Sequence, residues 1–148
     1  MKIYMDLCCY NRPFDDLSQD RVYFEAEAVL SIVKRCRNGE WILASSAIID
    51  IESSNQKDLD KLKKVQSICK AAQEHFPLTV KAEERAAFFQ RNGIKRFDSF
   101  HLAVAETNKA DIFLTTDDRL LKTAKRLELG IKASNPLAWL LLLEEEKV

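Results

Sequence analysis

Residues 112–121 read IFLTTDDRLL, a short apolar run followed by two acidic residues and an amphipathic pattern. The apolar run predicts a buried β-strand over residues 112–115, and the spacing behind it predicts a helix over residues 117–127. In an open parallel sheet, catalytic and binding groups collect outside the carboxyl ends of the strands. Asp117 therefore stands where a functional acid is expected.

Short apolar runs and helical patterns alternate along the rest of the chain. Further strands are predicted over residues 3–5, 41–44, 78–80 and 131–133. Residues 10–16 predict a loop, and helices are predicted over residues 18–37, around Glu52, from about Lys57, and over 82–91, 98–108 and 137–143. This alternation predicts an α/β fold with a central parallel sheet covered on both faces, in a single domain spanning residues 1–148.

The composition fits an ordinary globular core. Of the 148 residues, 47% are hydrophobic and only three are glycine, which argues against a low-complexity chain. Lysine plus arginine equals aspartate plus glutamate, so the formal net charge is zero. A neutral chain has no long-range field that collects nucleic acid, and any such binding must depend on local patches or a metal ion.

The cysteines and the N-terminus predict a cytoplasmic protein. The chain has four cysteines, Cys8, Cys9, Cys36 and Cys69. None forms a C-x-x-C pair, so we expect free thiols rather than zinc ligands or disulfides. Asp6 interrupts the apolar stretch that a signal peptide needs, and no apolar run approaches the ~20 residues of a membrane span. Residues 137–143 predict a buried terminal helix, with a dimer face as the alternative.

Four acidic residues stand near predicted strand ends or helix starts. Asp6 ends the first strand and Asp117 follows the late strand. Asp98 opens a helix, and Glu52 lies on the short helix behind the second strand. Taken singly, each also fits a helix-terminal acid or one half of a surface pair. Carboxylate oxygens are the ligands that Mg²⁺ prefers, and converging carboxylates repel one another without a cation, so together they predict a metal site or raised pKa values.

Four segments together resemble the PIN domain family. They are residues 3–6 (IYMD), 46–52 (SAIIDIE), 98–103 (DSFHLA) and 114–121 (LTTDDRLL), and their order fits over essentially the whole chain. The resemblance implies a three-layer α/β/α fold and Mg²⁺- or Mn²⁺-dependent cleavage of RNA phosphodiesters, which leaves 5′-phosphate and 3′-hydroxyl ends. Many small members are toxins of the VapC type, which an antitoxin protein holds inactive and which often form homodimers.

The resemblance also implies roles for particular residues. By their positions in the four segments, Asp6, Glu52, Asp98 and Asp117 are expected to be the catalytic and metal-binding acids. Thr115, two residues before the last acid, matches a hydroxyl position near the metal. Whether the site holds one ion or two is left open by these segments.

Residues near the acids are candidates for contacts with the substrate. Arg12 and the basic pair at residues 95–96 are expected to contact RNA phosphates, with a solvated surface position as the alternative. Asn11 and Thr115 are further candidate substrate contacts. One departure from the family concerns the two residues after Asp6. The family commonly has Thr and then Ser or Asn there, whereas this chain has Leu7 and Cys8. A missing hydroxyl at this place weakens the support of a bound ion.

Two rival functions stay open at this point. The first is a catalytically weak or inactive PIN scaffold that binds RNA or a protein partner, which the Leu7-Cys8 departure favours. The second is a receiver-type phosphoacceptor domain, which also clusters acids at strand ends. Such domains need a lysine at the end of a late strand, where this chain has Thr115 and Thr116.

Two neighbours of the acids have alternative roles. His101 lies one helical turn after Asp98, and we expect a packed or hydrogen-bonded structural residue rather than a general acid. Asp118 could replace Asp117 as a ligand, but Asp117 is preferred because it aligns with the motif.

Overall fold

A five-stranded parallel sheet forms the centre of the molecule. The computed structural model describes residues 1–146 of the 148. Its strands are β1 (Lys2–Met5), β2 (Ile42–Ser46), β3 (Glu74–Phe76), β4 (Ile112–Leu114) and β5 (Lys132–Ser134). The spatial order is β3-β2-β1-β4-β5, and every neighbouring pair is parallel. The predicted α/β class with a central parallel sheet is therefore confirmed.

Helices connect the strands and flank the sheet. They are α1 (Leu7–Asn11), α2 (Asp20–Arg37), α3 (Ala47–Ser53), α4 (Leu59–Cys69), α5 (Val80–Arg91), α6 (Arg96–Thr107), α7 (Asp118–Lys125) and α8 (Pro136–Glu146). A short 3-10 helix, Arg12–Phe14, follows α1 directly. Within residues 1–146, no helix has the length and apolar character that crossing a membrane requires.

Strand β1 is the middle strand because its side chains are apolar on both faces. Ile3, Tyr4 and Met5 are fully buried, as expected for a strand covered by helices on both sides. The chain places β2 and β3 on one side of β1 and β4 and β5 on the other. The carboxyl end of β1 is therefore the point where the strand order reverses, which is the usual location of a site in such sheets.

The third strand is shifted from its predicted position. Residues 78–80 were expected to form it, but β3 is Glu74–Phe76, and Phe76 supplies its buried apolar side chain. Proline 77 cannot donate a hydrogen bond to a sheet ladder and ends the strand. Thr79 then caps α5 by accepting a hydrogen bond from the backbone of Ala82 at 3.2 Å. The prediction was wrong because Val80 starts a helix and is 71% exposed.

The segment after β1 is helical rather than a loop. Asp6 is extended, and the chain then enters α1, which ends at Asn11. The loop predicted over residues 10–16 is therefore wrong for residues 10–14, which lie in α1 and in the short 3-10 helix. Burial of Cys9 and Tyr10 in the core stabilises this short helix, which has too few residues to show a helical period in the sequence. All four cysteines are free thiols, as expected.

The terminal helix α8 is only partly buried. Trp139 is buried and packs against Trp41, with ring centroids 5.2 Å apart. Leu141 and Leu142 are each 56% exposed, so the expected burial of the whole apolar segment is wrong for these two residues. Four consecutive leucines cannot all face one side of a helix.

A buried glutamate on α2 ties together three loops at the carboxyl edge of the sheet. Glu25 is 1% exposed and accepts hydrogen bonds from Arg12, Arg21 and Asn135. Arg12 lies in the segment after β1, Arg21 in the first turn of α2, and Asn135 directly after β5. Arg21 also donates to the carboxylate of Asp118 at 2.7 and 2.8 Å, in the segment after β4. One buried carboxylate therefore anchors the backbone around the end of β1.

We predict that Glu25→Gln lowers the free energy of unfolding by about 3 kcal/mol, because it removes the buried charge that pairs with two guanidinium groups. Urea unfolding followed by circular dichroism measures the change. The control is Glu27→Gln, since Glu27 lies on the same helix and is exposed. Equal stability of the two variants would contradict the anchoring role of Glu25.

Candidate active site

Asp6 is held at the end of the central strand by two side chains. It is buried, and its backbone N–H donates to the carbonyl of Leu114 at 3.1 Å, which continues the pairing of β1 with β4. The hydroxyl of Thr115 donates to Asp6 Oδ2 at 2.6 Å. The thiol of Cys8 donates to Asp6 Oδ1. Both carboxylate oxygens of Asp6 therefore have partners in fixed positions.

Asp117 is fixed by the start of α7. Its Oδ1 accepts hydrogen bonds from the backbone N–H groups of Arg119 at 2.9 Å and Leu120 at 3.2 Å, the usual geometry of a helix N-cap. Its own N–H donates to the hydroxyl of Thr115 at 3.1 Å. Thr115 thus links Asp117 to Asp6 across β4 and β1.

Glu52 is positioned by a buried chain of polar side chains. Its Oε1 lies 2.9 Å from Nε2 of His101, which is buried beneath it. The other ring nitrogen of His101 lies 2.7 Å from the hydroxyl of Tyr4, and that hydroxyl lies 2.7 Å from Oγ of Ser46. Ser46 in turn caps α3, the helix that carries Glu52. The structural role expected for His101 agrees with this arrangement.

Because a carboxylate only accepts hydrogen bonds, the Nε2–H of His101 is the donor to Glu52. In the neutral ring, Nδ1 then accepts from Tyr4, and Ser46 donates to Tyr4. Every donor in this chain has an acceptor, so four elements, β1, β2, α3 and α6, are joined beneath one carboxylate.

Asp98 is the least constrained of the four acids. It lies in the first turn of α6, two residues after the helix begins at Arg96, rather than at the helix start as expected. Among residues 1–146, no hydrogen bond fixes its half-buried carboxylate. The N-terminal end of a helix favours negative charge, which offsets part of the cost of placing an acid there.

The four acids line one pocket. This acidic pocket has a volume of about 190 Å³ and is lined by Asp6, Leu7, Cys8, Asn11, Glu52, Asp98 and Asp117. Its acids come from the end of β1, from α3, from α6 and from the start of α7, so the fold alone brings them together. Their role as metal ligands stays a prediction.

The predicted substrate-contact residues lie in different environments. Asn11 lines the acidic pocket. Thr115 is fully buried and positions Asp6, so its hydroxyl faces the protein rather than the pocket. Arg12 pairs with Glu25 and Asp15 at 2.9 and 3.1 Å, which leaves it engaged inside the protein. Asp118, the alternative to Asp117, is exposed and pairs with Arg21.

Two further depressions adjoin the acidic pocket. The α4 depression, of about 380 Å³, shares Leu7, Asn11 and Glu52 with it and adds Asn55, Gln56 and Lys57. The α6 depression, of about 230 Å³, shares Asp98 and Asp117 with it and adds Lys95 and Arg119. Sequence reasoning missed Lys57 and Arg119, because nothing in the sequence separates them from other surface cations.

The electrostatics of the acidic pocket disfavour ionised carboxyl groups. Burial raises the pKa of Asp6 well above its usual range, and the adjacent Cys8 thiol adds to the rise. Burial also raises the pKa of Asp98, and the charges of Asp117 and Glu52 raise it further. Burial and the neighbouring groups therefore make ionisation of Asp6 and Asp98 more costly in the folded chain than in water.

The donor set fits a divalent cation. Up to four carboxylates face a space large enough for an ion and several waters, and oxygen ligands with retained water are what Mg²⁺ and Mn²⁺ take. A bound cation would also offset the charges of Asp117 and Glu52, which add to the effect of burial on the pKa of Asp98. Asp6, Glu52, Asp98 and Asp117 are the residues that could hold it.

We predict that Asp98→Asn stabilises the metal-free protein at neutral pH. Because the folded pKa of Asp98 is raised, the unfolded chain ionises first, and stability is lost as the pH rises from the ordinary pKa of 3.8 to the raised folded value. Below the ordinary pKa of 3.8 the carboxyl group is neutral in both states, so the advantage of the variant vanishes there. Thermal unfolding in the presence of a chelator, from below pH 3.8 to neutral pH, measures the difference in stability between the variant and the unaltered chain. Asp50→Asn on α3 is the control. A variant that is less stable at neutral pH would contradict the electrostatic account.

We predict that His101→Phe lowers the free energy of unfolding by about 2 kcal/mol, because Tyr4 and Glu52 both lose a partner. The matched control is His75→Phe, since His75 is exposed and pairs only with exposed Asp50. We expect that change to stay within about 0.5 kcal/mol. Tyr4→Phe should lower the free energy of unfolding less in the His101→Phe variant than in the unaltered chain. Additive losses of the two changes in urea unfolding would refute the coupling between these side chains.

Comparison with known proteins supports the fold. No protein-family model matches the chain, and no curated protein matches it. A solved structure of VapBC2 from Rickettsia felis, bound to a DNA fragment from their promoter, contains a chain of similar fold. The TM-score is 0.58 at 17% sequence identity, over 91% of this chain and 98% of that chain. The likeness supports the α/β/α architecture with a central parallel sheet that the PIN resemblance implied.

Proposed function

We propose that the chain is a metal-dependent ribonuclease that hydrolyses RNA phosphodiester bonds. The observation that carries this proposal is the convergence of four carboxylates from four separate elements on one pocket, at the carboxyl end of the central strand. The carboxyl ends of the strands are the usual location of a site in a parallel sheet. Carboxylate oxygens are the ligands that Mg²⁺ and Mn²⁺ prefer. The similar fold of a VapBC2 chain supports the same interpretation.

A bound Mg²⁺ or Mn²⁺ would supply charge that polarises a phosphoryl oxygen and acidifies water. The protein would hold that charge through carboxylates whose positions are already set. Asp6 is fixed by Thr115, Asp117 by the start of α7, and Glu52 by His101. Fixed ligands require little rearrangement during the reaction, which favours catalysis.

Asp98 is the acid best suited to orient the attacking water. Its carboxylate is free of hydrogen bonds among the described residues, and its raised pKa makes it a better proton acceptor than an ordinary aspartate. The α6 N-terminus holds it at the pocket wall, beside Asp117. A water bound to Asp98 would face a phosphate that lies in the acidic pocket.

The two adjoining depressions extend the acidic pocket into a groove for the RNA strand. Lys57 lies on one side of the acids, and Lys95 and Arg119 lie on the other. None of the three forms an ion pair with another described residue. Free cations on both sides of an acidic centre would contact the phosphates that flank the scissile bond and offset the repulsion between RNA and the acids.

A toxin–antitoxin role extends this proposal. The similar chain belongs to VapBC2 bound to a promoter DNA fragment, and we propose that this chain acts with an antitoxin protein. The aromatic pair Tyr23 and Phe24 on α2 supports a partner, because the two rings, with centroids 5.5 Å apart, are 44% and 52% exposed. A homodimer is the alternative partner for such a surface.

A second candidate function is a scaffold that binds RNA or a protein without cutting. The observation that favours it is the environment of Asp6, whose two oxygens already accept hydrogen bonds from Cys8 and Thr115. If both bonds persist, Asp6 has less capacity to bind an ion. Calorimetric titration with Mn²⁺ separates the two candidates, because an inactive scaffold of this kind should bind no ion at these acids.

We predict that Asp6→Asn and Asp98→Asn each lower Mn²⁺-dependent cleavage of single-stranded RNA by at least about 100-fold, since even outer partners of metal ligands contribute roughly 10–100-fold. Gel analysis of a labelled RNA of mixed sequence, with and without chelator, measures the loss. The control is Asp50→Asn, because Asp50 is an exposed acid on α3 that does not line the acidic pocket.

Circular dichroism of each variant should show an intact fold. Cleavage that persists undiminished in pure Asp6→Asn or Asp98→Asn protein would rule out the proposed site. Cleavage that is insensitive to chelator in the unaltered chain would rule out a metal-dependent reaction.

A further inference from the structure

A thiol faces the acidic pocket beside its most buried acid. Cys8 lines the pocket, and its Sγ donates a hydrogen bond to Oδ1 of Asp6. The same sulfur lies 3.4 Å from the hydroxyl of Thr115 and accepts a hydrogen bond from the backbone N–H of Thr116 at 3.3 Å. These contacts place the sulfur at the junction of α1 with the segment that follows β4.

Cys9 does not share this environment, although it is the next residue. Its side chain is fully buried, and its Sγ donates to the carbonyl of Leu114 at 3.4 Å on the core side of α1. Successive residues of a helix point about 100° apart, which separates the two thiols. The Sγ atoms of Cys8 and Cys9 and a carboxylate oxygen of Asp6 lie within 4.8 Å of one another, but only Cys8 reaches the pocket.

Sulfur and oxygen donors select different ions. Magnesium prefers oxygen ligands, whereas a thiolate greatly favours zinc and other thiophilic ions. Tetrahedral zinc combines Cys sulfur at about 2.3 Å with carboxylate oxygen at about 2.0 Å. A pocket that offers one sulfur together with carboxylates is therefore unlike a site built from oxygen alone.

We propose, building on the metal centre of the proposed function, that Cys8 is a ligand in the acidic pocket and gives it a preference for thiophilic divalent ions over Mg²⁺. Sulfur and one oxygen of Asp6 bind the ion together, with Glu52, Asp98 or Asp117 and water completing the shell. As the sulfur–metal bond forms, the thiol proton passes to solvent and no group is oxidised or reduced. Zn²⁺ then competes with Mg²⁺ and Mn²⁺ for the centre.

Cadmium is the probe for this inference, because a thiolate–cadmium bond gives an ultraviolet charge-transfer band that oxygen ligands do not give. We expect one Cd²⁺ per chain to produce the band in the full-length protein. Excess Zn²⁺ should displace Cd²⁺, whereas a roughly 100-fold excess of Mg²⁺ should not.

Variants assign the band to one sulfur. Cys8→Ser should abolish it and weaken Cd²⁺ binding by at least about 10-fold. Cys69→Ser is the matched control, since Cys69 is a partly exposed free thiol outside the acidic pocket, and it should keep the band.

Zinc X-ray absorption of the unaltered chain provides a second measurement that needs no variant to fold. One sulfur at about 2.3 Å among shorter oxygen distances supports the inference. An all-oxygen shell, or a band that survives in Cys8→Ser, overturns it.

These outcomes are separate from those of the nuclease proposal. Loss of the cadmium band in Cys8→Ser together with inactivity toward RNA would keep the metal preference and remove the nuclease. RNA cleavage that depends on Asp6, combined with an all-oxygen zinc shell, would keep the nuclease and remove the role of Cys8.

Discussion

Placing four acidic side chains in one partly buried pocket is the constraint on which the surrounding structure depends. Asp6, Glu52, Asp98 and Asp117 meet in a pocket of about 190 Å³, and the pKa values of Asp6 and Asp98 are raised there. Such a cluster lowers the stability of the fold, and the contacts of the surrounding structure must offset this cost. The rest of the fold around the carboxyl end of β1 can be understood as the source of those contacts.

Two hydrogen-bond partners of the acids, Thr115 and His101, are buried and do not line the acidic pocket. Thr115 bridges Asp6 and Asp117, and the chain from Ser46 through Tyr4 and His101 holds Glu52. Further out, a buried ion-pair network around Glu25 on α2 joins the segments that carry the first and last acids. These partners lie on several elements of the fold, so the site depends on the packing of the whole sheet edge.

Much of this arrangement could be predicted from the sequence. The α/β class, the strands β1, β2 and β4, and the capping role of Asp117 follow from short-range patterns of apolar and capping residues. The helix at Leu7–Asn11 and the displaced strand β3 could not, because one is too short to show a period and the other is set by Pro77 and the cap at Thr79. Sequence order alone also gave no sign that Arg12 is held by Glu25, since the two meet only through folding.

The location of the Cys8 thiol in the structure indicates a role that its position in the sequence does not. In the sequence it counts only as a departure from the second residue expected after Asp6. In the structure it occupies the wall of the acidic pocket, in contact with Asp6 and close to Thr115. The position of the donor atom, rather than the identity of the residue alone, gives it a chemical role.

The most direct test of this account is the anomalous scattering of crystals grown with Mn²⁺. The account predicts a manganese peak bounded by the carboxylates of Asp6, Glu52, Asp98 and Asp117, and no such peak in Asp6→Asn crystals prepared in the same way. An acidic pocket that remains free of manganese at saturating concentration, with the four carboxylates in the same positions, would contradict it.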